Sequence, residues 1–355
     1  MRETLQDIIQ GIRRIDCDIQ RKARDHSASL VMPFRALGRL HDIAEQVCAI
    51  QGTINPDVSS KAVVVFAADH GVVDEGVTAY PQRVSLEMIK CFLKGGAGIN
   101  AICRQVGARV HVVDMGMAGD IEQELQKQYE NLTIHKLGWG TNNLSRESAM
   151  TYEQAERSLL AGFDEARKLI QGGNNMLGTG DMGIGNTTPA SAIGSVITNS
   201  SIKSMVGPGT GLNAQGIEKK IKAIDKGINI NQPQSSNGLD VLSKVGGFEI
   251  GGIAGFILGG GFYRVPVVID GFISTAGALI AKSLSPGVVD YLFAGHCSKE
   301  PGHRIMLDHL GLCPLLDLGM RLGEGTGGAL AMNVIESGVR VLQDVLTFEQ
   351  ASVSC

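Results

Sequence analysis

Ala62-Val-Val-Val-Phe-Ala-Ala-Asp69 is apolar at every position until it closes on an acid. A strand with one wet face alternates polar and apolar residues, so an unbroken run rich in β-branched valine is expected of a strand covered on both faces, as in a parallel sheet. Arg109 to Gly116 (RVHVVDMG), Val265 to Phe272 (VPVVIDGF) and Tyr291 to His296 (YLFAGH) have the same character, and a weaker strand is expected from Asn175 to Leu177, before a glycine loop. Each run ends in a polar or glycine-rich turn followed by a stretch suited to a helix. Repeated strand-turn-helix units predict an α/β fold.

Polar residues recur at the C-terminal ends of these strands: Asp69, His70, Asp114, Asp181, Asp270 and His296. Any one of them fits a helix N-cap or a turn. Their recurrence at one edge favours a ligand site there, because open α/β sheets bind ligands beyond that edge. The chain ends lack strands. Thr4 to Arg24, Phe34 to Ile50 and Thr326 to Gln350 read as helices, the last as one long helix, and could form a small separate subdomain. Asn231 to Asn237 (NQPQSSN) is the most linker-like segment and is expected to be a loop within the large domain.

Composition narrows the function. The chain has 355 residues, 43% hydrophobic and 19% charged, enough apolar material for a large core. A formal net charge of −4 argues against a nucleic-acid backbone as partner, since such proteins carry a basic footprint. The N-terminal stretch mixes acids and bases without an apolar core, no apolar run approaches the roughly 18 residues of a membrane span, and a cytoplasmic protein is expected. The 47 glycines are about twice an average share and suggest loops built around a ligand. Seven scattered cysteines form no Cys-x-x-Cys pair and read as reduced, structural thiols. His296, Cys297, His303, His309 and Cys313 crowd together, but paired zinc-type spacing is missing and no metal is expected.

Three glycine-rich segments carry the chemistry. Gly178-Thr-Gly-Asp-Met-Gly183 satisfies the Gly-x-Gly-x-x-Gly pattern, yet the region about 20 residues on reads TNSSIKS, without the acid that holds a ribose in dinucleotide folds. A dehydrogenase is discounted on that ground, and a Walker A sequence is absent. Gly183-Ile-Gly-Asn-Thr-Thr-Pro189 places Asn186, Thr187 and Thr188 before a helix whose first turn suits Pro189. Either an ordinary N-cap or a phosphate cradle fits; the second is favoured by the backbone N–H groups and hydroxyls aimed at one point. Val206-Gly-Pro-Gly-Thr-Gly-Leu212 precedes another helix bearing Lys219 and Lys220, one of which is expected to point inward to the same phosphate. In Met320-Arg-Leu-Gly-Glu-Gly-Thr-Gly-Gly-Ala-Leu330 a single carboxylate, Glu324, sits among glycines and apolar residues. A desolvated base and a helix-start acid account for it equally well.

Together these motifs resemble the nicotinate-nucleotide–dimethylbenzimidazole phosphoribosyltransferase family from about Ala62 to Leu330. The matching pieces are AADHGVVDEGV, GDMGIGNTTPASA, VGPGTGLNAQGIEKK, INQP, GLDVLSKVGGFEIGG, PVVIDGF, AGHCSKEPGHRI and MRLGEGTGGALAM. The resemblance implies a doubly wound, mostly parallel Rossmann-like sheet in residues 31–330, a small helical domain from residues 1–30 and 331–355, and a homodimer. It implies that Glu324 takes a proton from a benzimidazole nitrogen while the other nitrogen attacks C1′ of nicotinate mononucleotide, with no cofactor and no metal. Phosphate and ribose binding would fall to Gly183, Gly185, Asn186, Thr187, Thr188, Gly207, Gly209, Gly211 and Lys220, and the base pocket to Tyr80, Pro81, Met88 and Leu322. For Tyr80 and Pro81 a turn with a buried ring fits equally well.

One position departs from the pattern: Asp181 stands where the family commonly has Glu, on the ribose or leaving-group side. Two alternatives accompany the main reading, a phenolic or other benzimidazole acceptor with the same donor, and a catalytically silent nucleotide-binding subunit. The intact Glu324 argues against silence.

Overall fold

The computed structural model describes residues 3–209 and 211–354. Thr210 of the second glycine turn, Cys355 and the first two residues of the 1–30 range lie outside the described residues. Among the described residues one sheet runs through β1 (Lys61–Ala68), β2 (Ala108–Gly116), β3 (Leu132–Ile134), β4 (Met176–Met182), β5 (Val267–Ile269) and β6 (Leu292–Ala294). The strand order is β3-β2-β1-β4-β5-β6, and every pairing is parallel. The chain winds outward from β1 in one direction and then, starting at β4, in the other. This is the doubly wound arrangement, and its switch point lies between β1 and β4.

β1 is buried along its whole length, and its pleat explains why both faces are apolar. Val64, Phe66 and Ala68 join one core with the helices Tyr152–Gln171, Thr187–Thr198, Phe248–Tyr263 and Phe272–Leu284. Val63, Val65 and Ala67 join the other with Arg39–Gln51, Val84–Leu93, Gly98–Val106 and Thr326–Asp344.

The structure redraws several sequence expectations. β4 does not stop at Leu177 but runs through the first glycines of the Gly-x-Gly-x-x-Gly match to Met182. Gly178 and Gly180 are strand residues at a close approach: a Cβ on Gly178 would lie 2.6 Å from the Met332 methyl, and one on Gly180 would collide with the Glu324 carbonyl. A dinucleotide fingerprint needs these glycines in the turn after a strand, so the geometry removes that reading. β5 and β6 are shorter than expected, and β3 has no counterpart among the expected strands.

The helices at the ends are interrupted. Thr4 to Arg24 divides into Leu5–Gly11 and Cys17–Ser29, the second restarted by Asp16, whose carboxylate accepts from the Asp18 and Ile19 N–H groups at 3.0 Å. The last helix ends at Asp344, and a short Phe348–Ala351 turn follows behind a Thr347 cap.

Many glycines serve helix packing instead of ligand loops. In Phe248–Tyr263 (FEIGGIAGFILGGGFY) all residues through Gly261 are buried, and the helix lies so close to Tyr152–Gln171 that a Cβ on Gly255 would strike the Leu159 carbonyl. Gly162 meets the Gly252 carbonyl in the same way from the other side. Among the described residues no helix is long and apolar enough to cross a membrane.

Candidate active site

Two adjoining clefts open beyond the C-terminal ends of β1, β4, β5 and β6, and Asp181, Asn186 and Leu322 line both. The larger, of about 330 Å³, is walled by Tyr80, Val84, Met88, Met182, Gly183 and Ile184, with Glu324 at its base. The smaller, of about 80 Å³, runs toward Thr187, Gly209, Phe272, His296, Glu300 and Arg321. The larger is mostly apolar and sized for an aromatic ring; the smaller is of mixed polarity, and Thr187 in its wall accepts from the buried Lys220.

Glu324 lies in a run of left-handed backbone, Gly323 (φ +84°), Glu324 (φ +62°) and Gly325 (φ +95°). Glycine adopts this freely, whereas for a residue with a Cβ it costs about 1–2 kcal/mol, a strain that persists only where neighbours enforce it. The run ends the loop before the Thr326–Asp344 helix and turns the Glu324 side chain toward the start of the Gly98–Val106 helix, where Oε2 accepts from the Ile99 N–H at 3.2 Å. Burial pushes its pKa up, the Ile99 bond pulls it down, and Asp270 adds to the rise; the net result is above the ordinary carboxylate range.

Asp181, at the end of β4, is buried, and its Oδ2 accepts from the Asn186 amide at 3.0 Å. Burial, reinforced by the negative charges of Asp270, Glu249 and Glu324, raises its pKa well above the usual value despite Asn186. The shift favours the neutral carboxyl, the form that can donate a proton in a hydrogen bond.

Asp270, following β5, accepts the N–H groups of Gly325 (3.1 Å), Gly327 (2.8 Å) and Gly328 (2.9 Å), and the buried His296 Nε2 stands 3.6 Å away. Burial raises its pKa, while His296 and the three N–H groups oppose the rise.

The two glycine turns meet at Lys220. Its side chain is buried and donates to Thr187 Oγ1 at 2.7 Å, while Lys219 beside it is exposed. Burial lowers the Lys220 pKa to about 8, against the upward pull of Glu300. Glu300 Oε1 accepts the Gly209 N–H at 3.0 Å, and burial raises this carboxyl despite Lys220 nearby. The Thr187–Thr198 helix offers fewer free amides than its sequence suggests, because Asn186 N–H already bonds Gly183 and Thr188 N–H bonds Gly185, both in turns. A hydroxyl and an ammonium therefore supply much of the pole facing an anion.

The expected site residues are not all gathered equally. Glu324, Asp181, Asn186, Thr187, Gly209, Tyr80, Met88 and Leu322 line the clefts. Gly183 lines the larger, apolar cleft and not the one that reaches Thr187. Gly185 turns with φ +93° beside Val73, and Gly207 packs against Glu300 and Pro301 while its carbonyl sits 3.5 Å from Lys220 Nζ. Thr188 is wholly buried, Gly211 is exposed, and Pro81 is exposed outside the cleft lining. Tyr80 is 52% exposed at the rim, so the buried-ring alternative for it fails.

Of the other strand-end residues, Asp114 uses its Oδ1 to close its own turn, accepting from Gly116 and Met117. His70 forms a buried pair with Glu249 at 2.9 Å. His303 is a structural imidazole, 2.9 Å from Thr275 Oγ1 and accepting from the Ser298 N–H, with its pKa driven to about 3 by burial and by His296.

Glu300, Arg321, Phe272 and Val84 escape a reading of the sequence. Glu300 and Arg321 each lie within a quoted motif, as charges beside glycine or proline; that is the available signal.

The chain is similar to known proteins along nearly its whole length. The family model described as Phosphoribosyltransferase matches residues 12–353. The nicotinate-nucleotide–dimethylbenzimidazole phosphoribosyltransferase of Geobacter sulfurreducens is 47% identical over 350 residues, covering 99% of this chain and 98% of that protein. The same enzyme of Geotalea uraniireducens is likewise 47% identical over 350 residues, with the same coverage. A crystal structure of the Thermus thermophilus enzyme superposes with a TM-score of 0.90 at 43% identity, covering 96% of this chain and all of that one.

Proposed function

The chain belongs to the nicotinate-nucleotide–dimethylbenzimidazole phosphoribosyltransferase family, and we propose that it transfers the phosphoribosyl group of nicotinate mononucleotide to 5,6-dimethylbenzimidazole. The products are α-ribazole 5′-phosphate and nicotinate. The observation that carries the reading is Glu324, a buried carboxylate of raised pKa that lines an apolar cleft adjoining a second one, which reaches Thr187 and, through it, the Lys220 ammonium.

In this reading the acceptor ring lies in the larger cleft and the donor phosphate points to Thr187 and Lys220. Glu324 removes the N–H proton of the benzimidazole as its other nitrogen forms a bond to C1′. The C1′–N bond of the donor breaks with its electron pair passing to the pyridinium nitrogen, so the leaving ring becomes neutral and needs no acid. Asp181, shared by the two clefts and with its neutral form favoured by burial, offers a hydrogen bond to the ribose side of the donor. A carboxylate whose pKa is raised by burial is a stronger base toward the benzimidazole proton than an exposed one.

The reading extends to a cytoplasmic homodimer and to a small helical unit from residues 1–30 and 331–355. The apolar cluster of Ala23, Ala44, Cys48 and Leu342 packs both chain ends against the Arg39–Gln51 helix of the large domain. Sedimentation giving twice the chain mass tests the dimer.

The decisive experiment is a product assay of the purified protein with nicotinate mononucleotide, offering 5,6-dimethylbenzimidazole and phenol in competition. α-Ribazole phosphate is expected. A phenyl glycoside would reassign the acceptor, and absence of any product would overturn the enzymatic reading.

A further inference from the structure

We propose that Asp270 is a positioning residue for Glu324, orienting the Glu324–Gly325 peptide and thereby the direction in which the base enters the cleft. The inference rests on the reading of Glu324 as the base.

The peptide is held at both ends. Its N–H belongs to Gly325 and donates to Asp270 Oδ2 at 3.1 Å, a bond that reaches back 55 residues to the end of β5. Its carbonyl is that of Glu324 and lies against Gly180 in β4, where any Cβ would collide with it. With one end tied to β5 and the other pressed on β4, the peptide plane cannot rotate. ψ of Glu324 is thereby fixed, and with it the left-handed conformation that a non-glycine residue would otherwise leave.

Asp270 is built for this task more than for capping alone. The Thr326–Asp344 helix begins at Gly325, which has no side chain to cap it, so its first amides need an acceptor from elsewhere. Asp270 Oδ1 takes Gly327 and Gly328 and would satisfy that need by itself; Oδ2 is directed to the peptide adjoining the base. Behind the carboxylate stands the buried His296 ring, with Nε2 at 3.6 Å, packed so tightly against Gly327 that no Cβ fits there. Asp270 is thus wedged between the ring and the helix start, and its carboxylate has one orientation. Thr326 Oγ1, donating to the Gly323 carbonyl at 2.8 Å, closes the loop on the other side of Glu324.

The test is steady-state kinetics of full-length Asp270→Asn, which keeps the size and one oxygen but sets an amide donor against the N–H groups. With nicotinate mononucleotide and 5,6-dimethylbenzimidazole, kcat is expected to fall about 10- to 100-fold while the donor KM stays within about 3-fold, as for a displaced catalytic group. In a Glu324→Gln background the same substitution is expected to change kcat by less than about 3-fold, because its effect passes through the base. A near-parental kcat for Asp270→Asn, or an equal loss with and without Glu324, overturns the proposal. Parental turnover by Glu324→Gln alone would instead overturn the base assignment, so the two failures are distinguishable. If Asp270→Asn does not fold, Asp270→Ser, which retains a short acceptor, is measured by the same criteria. If neither folds, Asp270 is a structural cap and the proposal falls.

Discussion

Burial lifts the Glu324 carboxyl above the ordinary range, so the base is protonated at acid pH and becomes competent as pH rises through that lifted value. kcat/KM should therefore climb with pH on a limb displaced upward from the usual carboxylate titration, and Glu324→Gln should lower kcat by about 10²- to 10⁴-fold with donor binding retained. A pH-rate profile and product quantitation check both. Lys220 works in the opposite sense: with its pKa lowered to about 8, its charge is lost as pH passes that value, so the donor KM should rise in mildly alkaline solution. Lys220→Met should raise that KM by about 10- to 100-fold already at neutral pH, with kcat little changed. The residues that announce themselves in sequence are those whose chemistry is conspicuous against its surroundings, such as an acid among glycines or hydroxyls before Pro189. Glu300 and Arg321 do not, because their partners, Lys220 with the Gly209 amide and the Gly209 carbonyl, lie far away in the chain.

Among elements, β1 can be read directly because both its faces are buried and every residue says so. β4 reads short in sequence, since glycine signals a turn when only neighbours along the chain are considered; here Gly178 and Gly180 are glycines because another element crosses them. The same logic hides the purpose of Phe248–Tyr263, whose glycines admit Tyr152–Gln171 at backbone contact. Gly255→Ala should cost about 1–3 kcal/mol by forcing these helices apart, despite alanine's better helix propensity. A lowered urea midpoint with an unchanged slope would bear this out; an unchanged midpoint would show that the helices have room.

At the scale of the whole molecule, the sheet's C-terminal edge concentrates carboxyls whose pKa values burial raises: Asp69, Asp181, Asp270, Glu300 and Glu324. The folded chain thus holds protons that the unfolded chain releases above its own carboxylate range. Their contribution to stability is complete below the unfolded value and is lost as pH rises through the folded ones. The thermal midpoint of the ligand-free protein should decline as pH rises above the ordinary carboxylate range and through the raised folded-state values, and Asp181→Asn should flatten the decline. Scanning calorimetry across that window reads the slope directly, and equal slopes for the two proteins would remove Asp181 from the explanation. Strand order is accessible only in part from sequence, since runs of valine show that strands are parallel and buried without showing which ones are neighbours.

The switch between β1 and β4 also governs when the enzyme can first exist. Ser60 and Asn175, joined at 2.9 Å beside the start of those strands, are 115 residues apart, and Ile99 meets Glu324 across 225. Contacts of such separation form late and slowly, after the local helices. During synthesis the N-terminal half emerges with β1 already made but without its β4 neighbour, and the base arrives when nearly the whole chain has been translated. Catalytic competence is consequently a last event in the maturation of this polypeptide, and nascent or C-terminally clipped chains should engage chaperones as unfinished sheets long before they could consume substrate.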